Sequence, residues 1–110
     1  MSLVNMSTML NDARRGGYAV GAFNILDYNS MRAVVNAADE LHAPVIIQTS
    51  VKTVLFWGYD AVISWARQLS ETTTVPVAIH LDHCTEIDVI QKCITAGWTS
   101  VMIDASAKPF

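Results

Sequence analysis

Residues 75–83 read Val-Pro-Val-Ala-Ile-His-Leu-Asp-His, an apolar run that ends abruptly in a carboxylate and an imidazole. A short run rich in β-branched residues is typical of a strand that is buried on both faces, as in a parallel sheet. Similar runs cover 18–25, 44–50 and 100–106, so with 75–82 the runs start at residues 18, 44, 75 and 100. This spacing predicts four parallel strands.

Segments with helical period separate the predicted strands. Their apolar stripes consist of Met31, Val34, Val35, Ala38 and Leu41, then Val62, Trp65, Ala66 and Leu69, then Ile87, Ile90 and Ile94. Candidate N-caps are Asn29 or Ser30 for the first helix and a Thr85/Asp88 capping box for the third, while the stripe of the second follows Asp60. Gly97 is the expected stop of the third helix. An opening helix over about 7–15 precedes them all.

Alternating helices and strands predict an α/β fold with right-handed crossovers. Four parallel strands are compatible with an open sheet, or with the first half of an eight-stranded barrel of about 250 residues. Only residues 107–110 follow the fourth run, so the sequence predicts one domain over 1–110 that is cut off after its fourth strand.

Composition excludes several classes of protein. With 52% hydrophobic and 15% charged residues the chain is expected to fold around a core, and a net charge of -3 without a basic stripe argues against a nucleic-acid partner. Two cysteines are too few for a disulfide framework. Neither a signal peptide nor an apolar run of roughly 18 residues is present, which predicts a cytoplasmic protein without a membrane partner.

Every predicted strand ends in polar groups: Asn24, Ser50, Asp82 with His83, and Asp104. Carboxyl ends of parallel strands carry the ligand site in α/β folds. Asn and Ser more often cap loops, so Asn24 and Ser50 have an ordinary structural interpretation. Asp82 and His83 pair a proton acceptor with a zinc-type ligand, whereas His80 is interpreted as a hydrogen-bonded core histidine.

Four motifs, at 16–25, 43–50, 76–83 and 100–106, together resemble the class II, metal-dependent ketose-bisphosphate aldolases. They read Gly-Gly-Tyr-Ala-Val-Gly-Ala-Phe-Asn-Ile, Ala-Pro-Val-Ile-Ile-Gln-Thr-Ser, Pro-Val-Ala-Ile-His-Leu-Asp-His and Ser-Val-Met-Ile-Asp-Ala-Ser. The resemblance implies the first half of a (β/α)8 TIM barrel, with an opening helix, four parallel strands and three crossover helices.

The same resemblance assigns roles to residues. It implies that Asp82 is catalytic and moves a proton, that His83 binds the catalytic metal, and that Asp104 is a further carboxylate of the metal site. Ser50 and Asn24 are implied in substrate binding. Zn²⁺ is the implied cofactor, and the resemblance leaves open whether a second metal ion or a monovalent cation also binds. The two further zinc histidines and the Gly-rich phosphate site of the family lie on later strands.

The function implied is zinc-dependent aldol cleavage and condensation of fructose- or tagatose-1,6-bisphosphate, with dihydroxyacetone phosphate and glyceraldehyde 3-phosphate as products. A phosphorylated ketose or triose is then the partner, and a homo-oligomer is expected. The alternative is a half-barrel that lacks catalytic activity on its own and associates with itself, because its first and fourth strands are open edges.

Overall fold

Helices and strands alternate along the chain in a computed structural model that describes residues 2–109. The elements are α1 (Met6–Gly16), β1 (Gly21–Asn24), α2 (Tyr28–Glu40), β2 (Val45–Ser50), α3 (Val51–Trp57), α4 (Tyr59–Ser70), β3 (Val77–Cys84), α5 (Ile87–Ala96) and β4 (Ser100–Ile103). None of these helices has the length and apolar character needed to cross a bilayer.

The strands form one parallel sheet in the order β1-β2-β3-β4, which confirms the predicted α/β arrangement. Each strand pairs with the next one in the chain, so the order contains no reversal. An open doubly wound sheet would reverse its strand order at a switch point, whereas a (β/α)8 barrel adds strands in sequence. The topology is therefore that of half a barrel.

Burial differs between the central and the outer strands. β2 and β3 are largely buried, but all four residues of β1 are exposed, and Met102 and Ile103 of β4 are exposed as well. The expectation that every strand is buried on both faces is wrong for β1 and β4, because each of these strands has a neighbour on one side only. The open edges leave Phe23 53% exposed and Ile103 57% exposed.

Several strand ends differ from the predicted bounds, with β1 covering only 21–24 of the predicted 18–25, and two of these differences have local reasons. β3 begins at Val77 instead of residue 75, since Pro76 has no N–H to donate to a ladder. β4 ends at Ile103 instead of residue 106, because the Asp104 carboxylate accepts the Ser106 backbone N–H at 3.0 Å and turns the chain.

The crossover from β2 to β3 contains two helices, so the prediction of three crossover helices is wrong by one. α3 follows β2 directly, and the Ser50 hydroxyl accepts the Thr53 N–H at 3.2 Å as its N-cap. Gly58, with φ of 94°, separates α3 from α4. That conformation favours glycine and ends the seven-residue helix before α4 begins.

The caps show where local chemistry departs from the expected pattern. Asp27, not Asn29 or Ser30, caps α2: its carboxylate accepts the Ser30 N–H at 2.8 Å, and the Ser30 hydroxyl accepts the Asp27 N–H at 3.0 Å. The N-cap of α4 is Gly58, and Asp60 lies in its first turn. The Thr85/Asp88 capping box is also wrong, since Glu86 caps α5 without a side-chain bond. Gly97 ends α5 as predicted.

Cys84 at the end of β3 and Cys93 on α5 are both free and buried in the core. Burial raises the pKa of the Cys93 thiol to about 12, so almost none of it is thiolate near neutrality. In the native chain, we expect both thiols to react with a disulfide reagent much more slowly than free cysteine does. After unfolding in guanidinium, we expect both thiols to react as fast as free cysteine. A rapidly reacting thiol in the native protein would contradict this packing.

Candidate functional site

The carboxyl ends of the four strands form one polar edge, defined here by Asn24, Ser50, Asp82, His83 and Asp104. Register places Asn24 beside Gln48, and Ser50 beside Asp82. Asp104 follows β4, and its N–H donates to the Cys84 carbonyl at 2.8 Å. The groups that the sequence places at strand ends therefore lie at the same end of the same sheet.

A bulge lets the adjacent residues Asp82 and His83 act together. Successive residues of a regular strand point to opposite faces. Here the register against β4 shifts between Leu81 and Cys84, and His83 adopts a left-handed φ of 43°. His83 Nε2 lies 3.9 Å from Asp82 Oδ2 as a result. The predicted strand ends at residue 82, and the structure extends β3 through His83 to Cys84.

His83 is held by Asp104 from the neighbouring strand. Its Nδ1 lies 3.0 Å from Asp104 Oδ2, while the side chain is 64% exposed. The hydrogen bond to Asp104, and then the charge of Asp82, raise the pKa of His83 above its usual range. Because Nδ1 faces an acceptor, the Nδ1–H form is favoured when the ring is neutral, and the Nε2 lone pair is then available on the exposed side.

Asp104 is itself fixed by Ser106. Its Oδ1 accepts the Ser106 hydroxyl at 2.6 Å and the Ser106 N–H at 3.0 Å. These two bonds, followed by the bond from His83, lower the pKa of Asp104 to about 2. The carboxylate is therefore ionised at neutral pH and has a defined orientation behind the imidazole.

Asp82 is connected to Asn24 through Gln48. The Gln48 amide donates to Asp82 Oδ2 at 3.1 Å and to Asn24 Oδ1 at 2.9 Å. Gln48 was absent from the residues expected in the site. The available signal was its spacing, because Gln48 precedes Ser50 by two positions and so shares a strand face with it.

Ser50 has the structural role that its residue type suggested. Its hydroxyl caps α3 and donates to Thr53 Oγ1 at 3.1 Å. The register partner of Ser50 is Asp82, so the capped turn begins beside the carboxylate. Ser50 therefore lies at the polar edge, and among the described residues its hydroxyl forms hydrogen bonds with Thr53 of α3.

The donor set fits one imidazole ligand of a metal site. A metal-bound histidine commonly gives its other ring N–H to a carboxylate, which is the arrangement of His83 and Asp104. Among residues 2–109, no three His, Cys, Asp or Glu side chains converge as a set of metal ligands. The described part of the chain therefore provides one supported ligand and not a complete coordination shell.

Comparison with known proteins agrees with this geometry. A family model of the class II fructose-bisphosphate aldolases matches residues 4–110. The fructose-bisphosphate aldolase of Geobacillus stearothermophilus is 47% identical over 113 aligned positions, which cover 100% of this chain and 39% of that protein. The YdjI aldolase from Escherichia coli K12 superposes with a TM-score of 0.86 at 30% identity, over 97% of this chain and 41% of that one.

A third protein shows that the fold persists at lower similarity. The fructose-bisphosphate aldolase of Campylobacter jejuni is 24% identical and has a TM-score of 0.87, over 97% of this chain and 39% of that one. The chain spans about two fifths of the length of the curated relatives it matches. Since the family model extends from residue 4 to residue 110, the chain belongs to the class II fructose-bisphosphate aldolase family.

Proposed function

We propose that these residues form the strand 1 to strand 4 part of a zinc-dependent aldolase that cleaves a ketose bisphosphate. The observation that carries the proposal is the group at the end of β3 and β4. A carboxylate lies 3.9 Å from the exposed nitrogen of His83, and a second carboxylate lies 3.0 Å from its other nitrogen. This arrangement places a proton-transfer group beside a supported metal ligand.

His83 would hold the zinc ion through Nε2, and Asp104 would orient the imidazole from behind. When bound, zinc supplies Lewis acidity toward the substrate carbonyl, so the site needs no Schiff-base lysine. Metal binding through Nε2 requires that nitrogen to be unprotonated, which the Nδ1 hydrogen bond to Asp104 favours. Asp104 therefore acts on the site through His83.

Asp82 would exchange the proton at the carbon next to the ketose carbonyl. In cleavage the bond between C3 and C4 breaks, the 4-hydroxyl loses its proton as C4 becomes an aldehyde, and C3 gains a proton from Asp82. The 4-hydroxyl proton would go to solvent, and Asp82 would regain a proton from solvent after giving one to C3, so protons and charge balance over a turnover. Gln48 fixes one oxygen of this carboxylate, and the side chain remains 22% exposed toward the polar edge.

The substrate we propose is fructose 1,6-bisphosphate or its epimer tagatose 1,6-bisphosphate, with dihydroxyacetone phosphate and glyceraldehyde 3-phosphate as products. Asn24 and Ser50 lie at the ends of β1 and β2, on the same side of Asp82, where an amide and a hydroxyl can hydrogen-bond to sugar hydroxyls. The reaction would take place in the cytoplasm.

The test is a chimera that joins residues 4–110 to the remaining part of the Geobacillus stearothermophilus relative. A coupled assay should show triose phosphate release that a chelator abolishes and zinc restores, and separate assays with each epimer decide the substrate. Near-ultraviolet circular dichroism verifies folding of the chimera. A folded, zinc-loaded chimera without cleavage of either sugar would refute the proposed function.

Self-association is a second candidate function for the 110-residue chain on its own. The outer side of β1 and α2 forms an apolar groove of about 600 Å³ lined by Tyr18, Phe23, Val34, Leu41 and Pro44, among others. Because β1 and β4 are parallel, β1 of one copy can continue the sheet after β4 of another. Two copies would provide the eight strands of a closed barrel, so we propose a second copy of this chain as the occupant.

Placing lysine on the open strand should weaken this association. Phe23→Lys puts a charge into the groove, and charged residues on an edge strand oppose further pairing. We expect light scattering after gel filtration to show a shift from dimer toward monomer. Leu10→Lys is the matched control, because Leu10 is 44% exposed on α1, outside the groove. A wild-type chain that is monomeric at high concentration would exclude this candidate.

A further inference from the structure

A polar row crosses all four strands two register positions before Asp82. It consists of Asn24, Gln48, His80 and Ser100, which are register partners in that order. Neighbouring residues of a parallel sheet in register point to the same face. Gln48 and His80 from this row both lie beside the Asp82 carboxylate: Gln48 donates to Oδ2 at 3.1 Å, and His80 Nε2 lies 3.7 Å from Oδ1.

His80 is held on its other side by Ser100. The distance from His80 Nδ1 to Ser100 Oγ is 2.6 Å, and the imidazole is only 12% exposed. Burial is the main cause of the lowered pKa of His80, so the ring is neutral near pH 7. A neutral imidazole has one N–H, and its second nitrogen accepts a hydrogen bond.

The contacts of the two ring nitrogens select the tautomer. With the proton on Nδ1, the Nε2 lone pair would face a carboxylate oxygen, which is unfavourable in a poorly solvated place. With the proton on Nε2, an N–H faces Asp82 Oδ1 and Nδ1 accepts from the Ser100 hydroxyl. The serine hydroxyl can rotate to donate, whereas the carboxylate has no proton to offer when ionised.

We propose that Ser100 and His80 are positioning residues for Asp82: the Ser100 hydroxyl holds His80 in its Nε2–H form, and this N–H orients the carboxylate for proton transfer. The inference rests on the proposed function in one respect, which is that the oriented carboxylate of Asp82 transfers a proton. The separation of 3.7 Å is longer than a hydrogen bond, and contacts of this kind tighten when the substrate complex forms.

The tautomer can be measured on the ¹⁵N-labelled 110-residue chain by long-range proton–nitrogen correlation at pH 8. We expect His80 to be in the Nε2–H form, and Ser100→Ala to produce a mixture of tautomers because Nδ1 has lost its donor. The ¹³Cγ resonance of Asp82 should shift at the same time. Ser100→Thr retains the hydroxyl and should restore the wild-type tautomer.

Ser106→Ala is the matched control, because Ser106 is a serine that follows the same strand, β4, and contacts Asp104 and not His80. It should leave the His80 tautomer unchanged. The Nδ1–H form in the wild type, or a Ser100→Ala chain with unchanged His80 and Asp82 resonances, would overturn the inference. If Ser100→Ala fails to fold, the wild-type and Ser100→Thr tautomers still decide the result.

Kinetics separate this inference from the proposed function. In an active chimera, Ser100→Ala should lower kcat by roughly 10- to 100-fold, the range for groups that orient reacting residues, with little change in KM. An unchanged kcat in an active chimera counts against orientation of Asp82. If the chimera is inactive with serine, alanine or threonine at position 100, the proposed function fails. The tautomer measurement on the 110-residue chain is independent of that result.

Discussion

Replacing Asp82 with alanine in the zinc-loaded chimera should lower turnover by roughly 10²–10⁴-fold while zinc stays bound. The reason is that Asp82 Oδ2 lies 3.9 Å from the ligand nitrogen of His83 and accepts from Gln48, so the carboxylate borders the metal position without being needed to hold the ion. His83→Ala should instead release the metal, because it removes the supported imidazole ligand. Inductively coupled plasma analysis and the coupled assay measure the two effects separately.

His42 provides a matched control for the histidine substitution. It is also exposed and also has a left-handed φ, of 50°, but it lies between α2 and β2, at the opposite end of the strands. His42→Ala should therefore leave both zinc content and turnover unchanged. Equal loss of zinc from the Asp82 and His83 variants would show that their roles are not separate.

The 110-residue chain by itself should show no aldolase turnover above background and should bind zinc only weakly. Catalytic zinc sites normally use three protein ligands, and residues 2–109 bring no such set together. Binding energy from the rest of the substrate orients its reacting carbon, and a half-barrel encloses the substrate on one side only.

The measurement is triose phosphate release by purified protein of 12.0 kDa mass, with zinc titrated in competition with a chelating dye. The chimera at equal concentration is the positive control. Turnover by the short chain that disappears on dialysis against a chelator would show that β1 to β4, in one copy or in two, are sufficient for catalysis.

The fold was predictable because its signal is strong and local. The apolar runs at β2 and β3 are bounded by turns, so both strands were found within two residues of their observed ends. The seven-residue helix α3 was missed because it follows β2 without a loop and is too short for a clear apolar stripe. The burial of β1 was overestimated, since periodicity does not report whether a strand has one neighbour or two.

The candidate site was only partly predictable. Asp82, His83 and Asp104 follow apolar runs, so their place at the carboxyl ends of the strands could be inferred, and their roles remain predictions. Gln48 and Ser100 were missed because their partners are defined by register across strands, which no single segment contains. The expectation that His80 is hydrogen-bonded is confirmed, and its spacing of two residues already places it on the face of Asp82, but its partner Ser100 becomes visible only when β4 is placed beside β3.

If His83 holds the metal as proposed, its left-handed backbone sets thermal stability and catalysis against each other at one position. A non-glycine residue in this conformation costs about 1–2 kcal/mol, and asparagine tolerates it better than most residues. The same φ is what brings the imidazole to the side of Asp82. Variants selected for heat resistance alone are thus free to lose this histidine, whereas selection that includes activity must retain it. Residue 83 is therefore a position to exclude from any consensus or library design aimed at a more robust barrel.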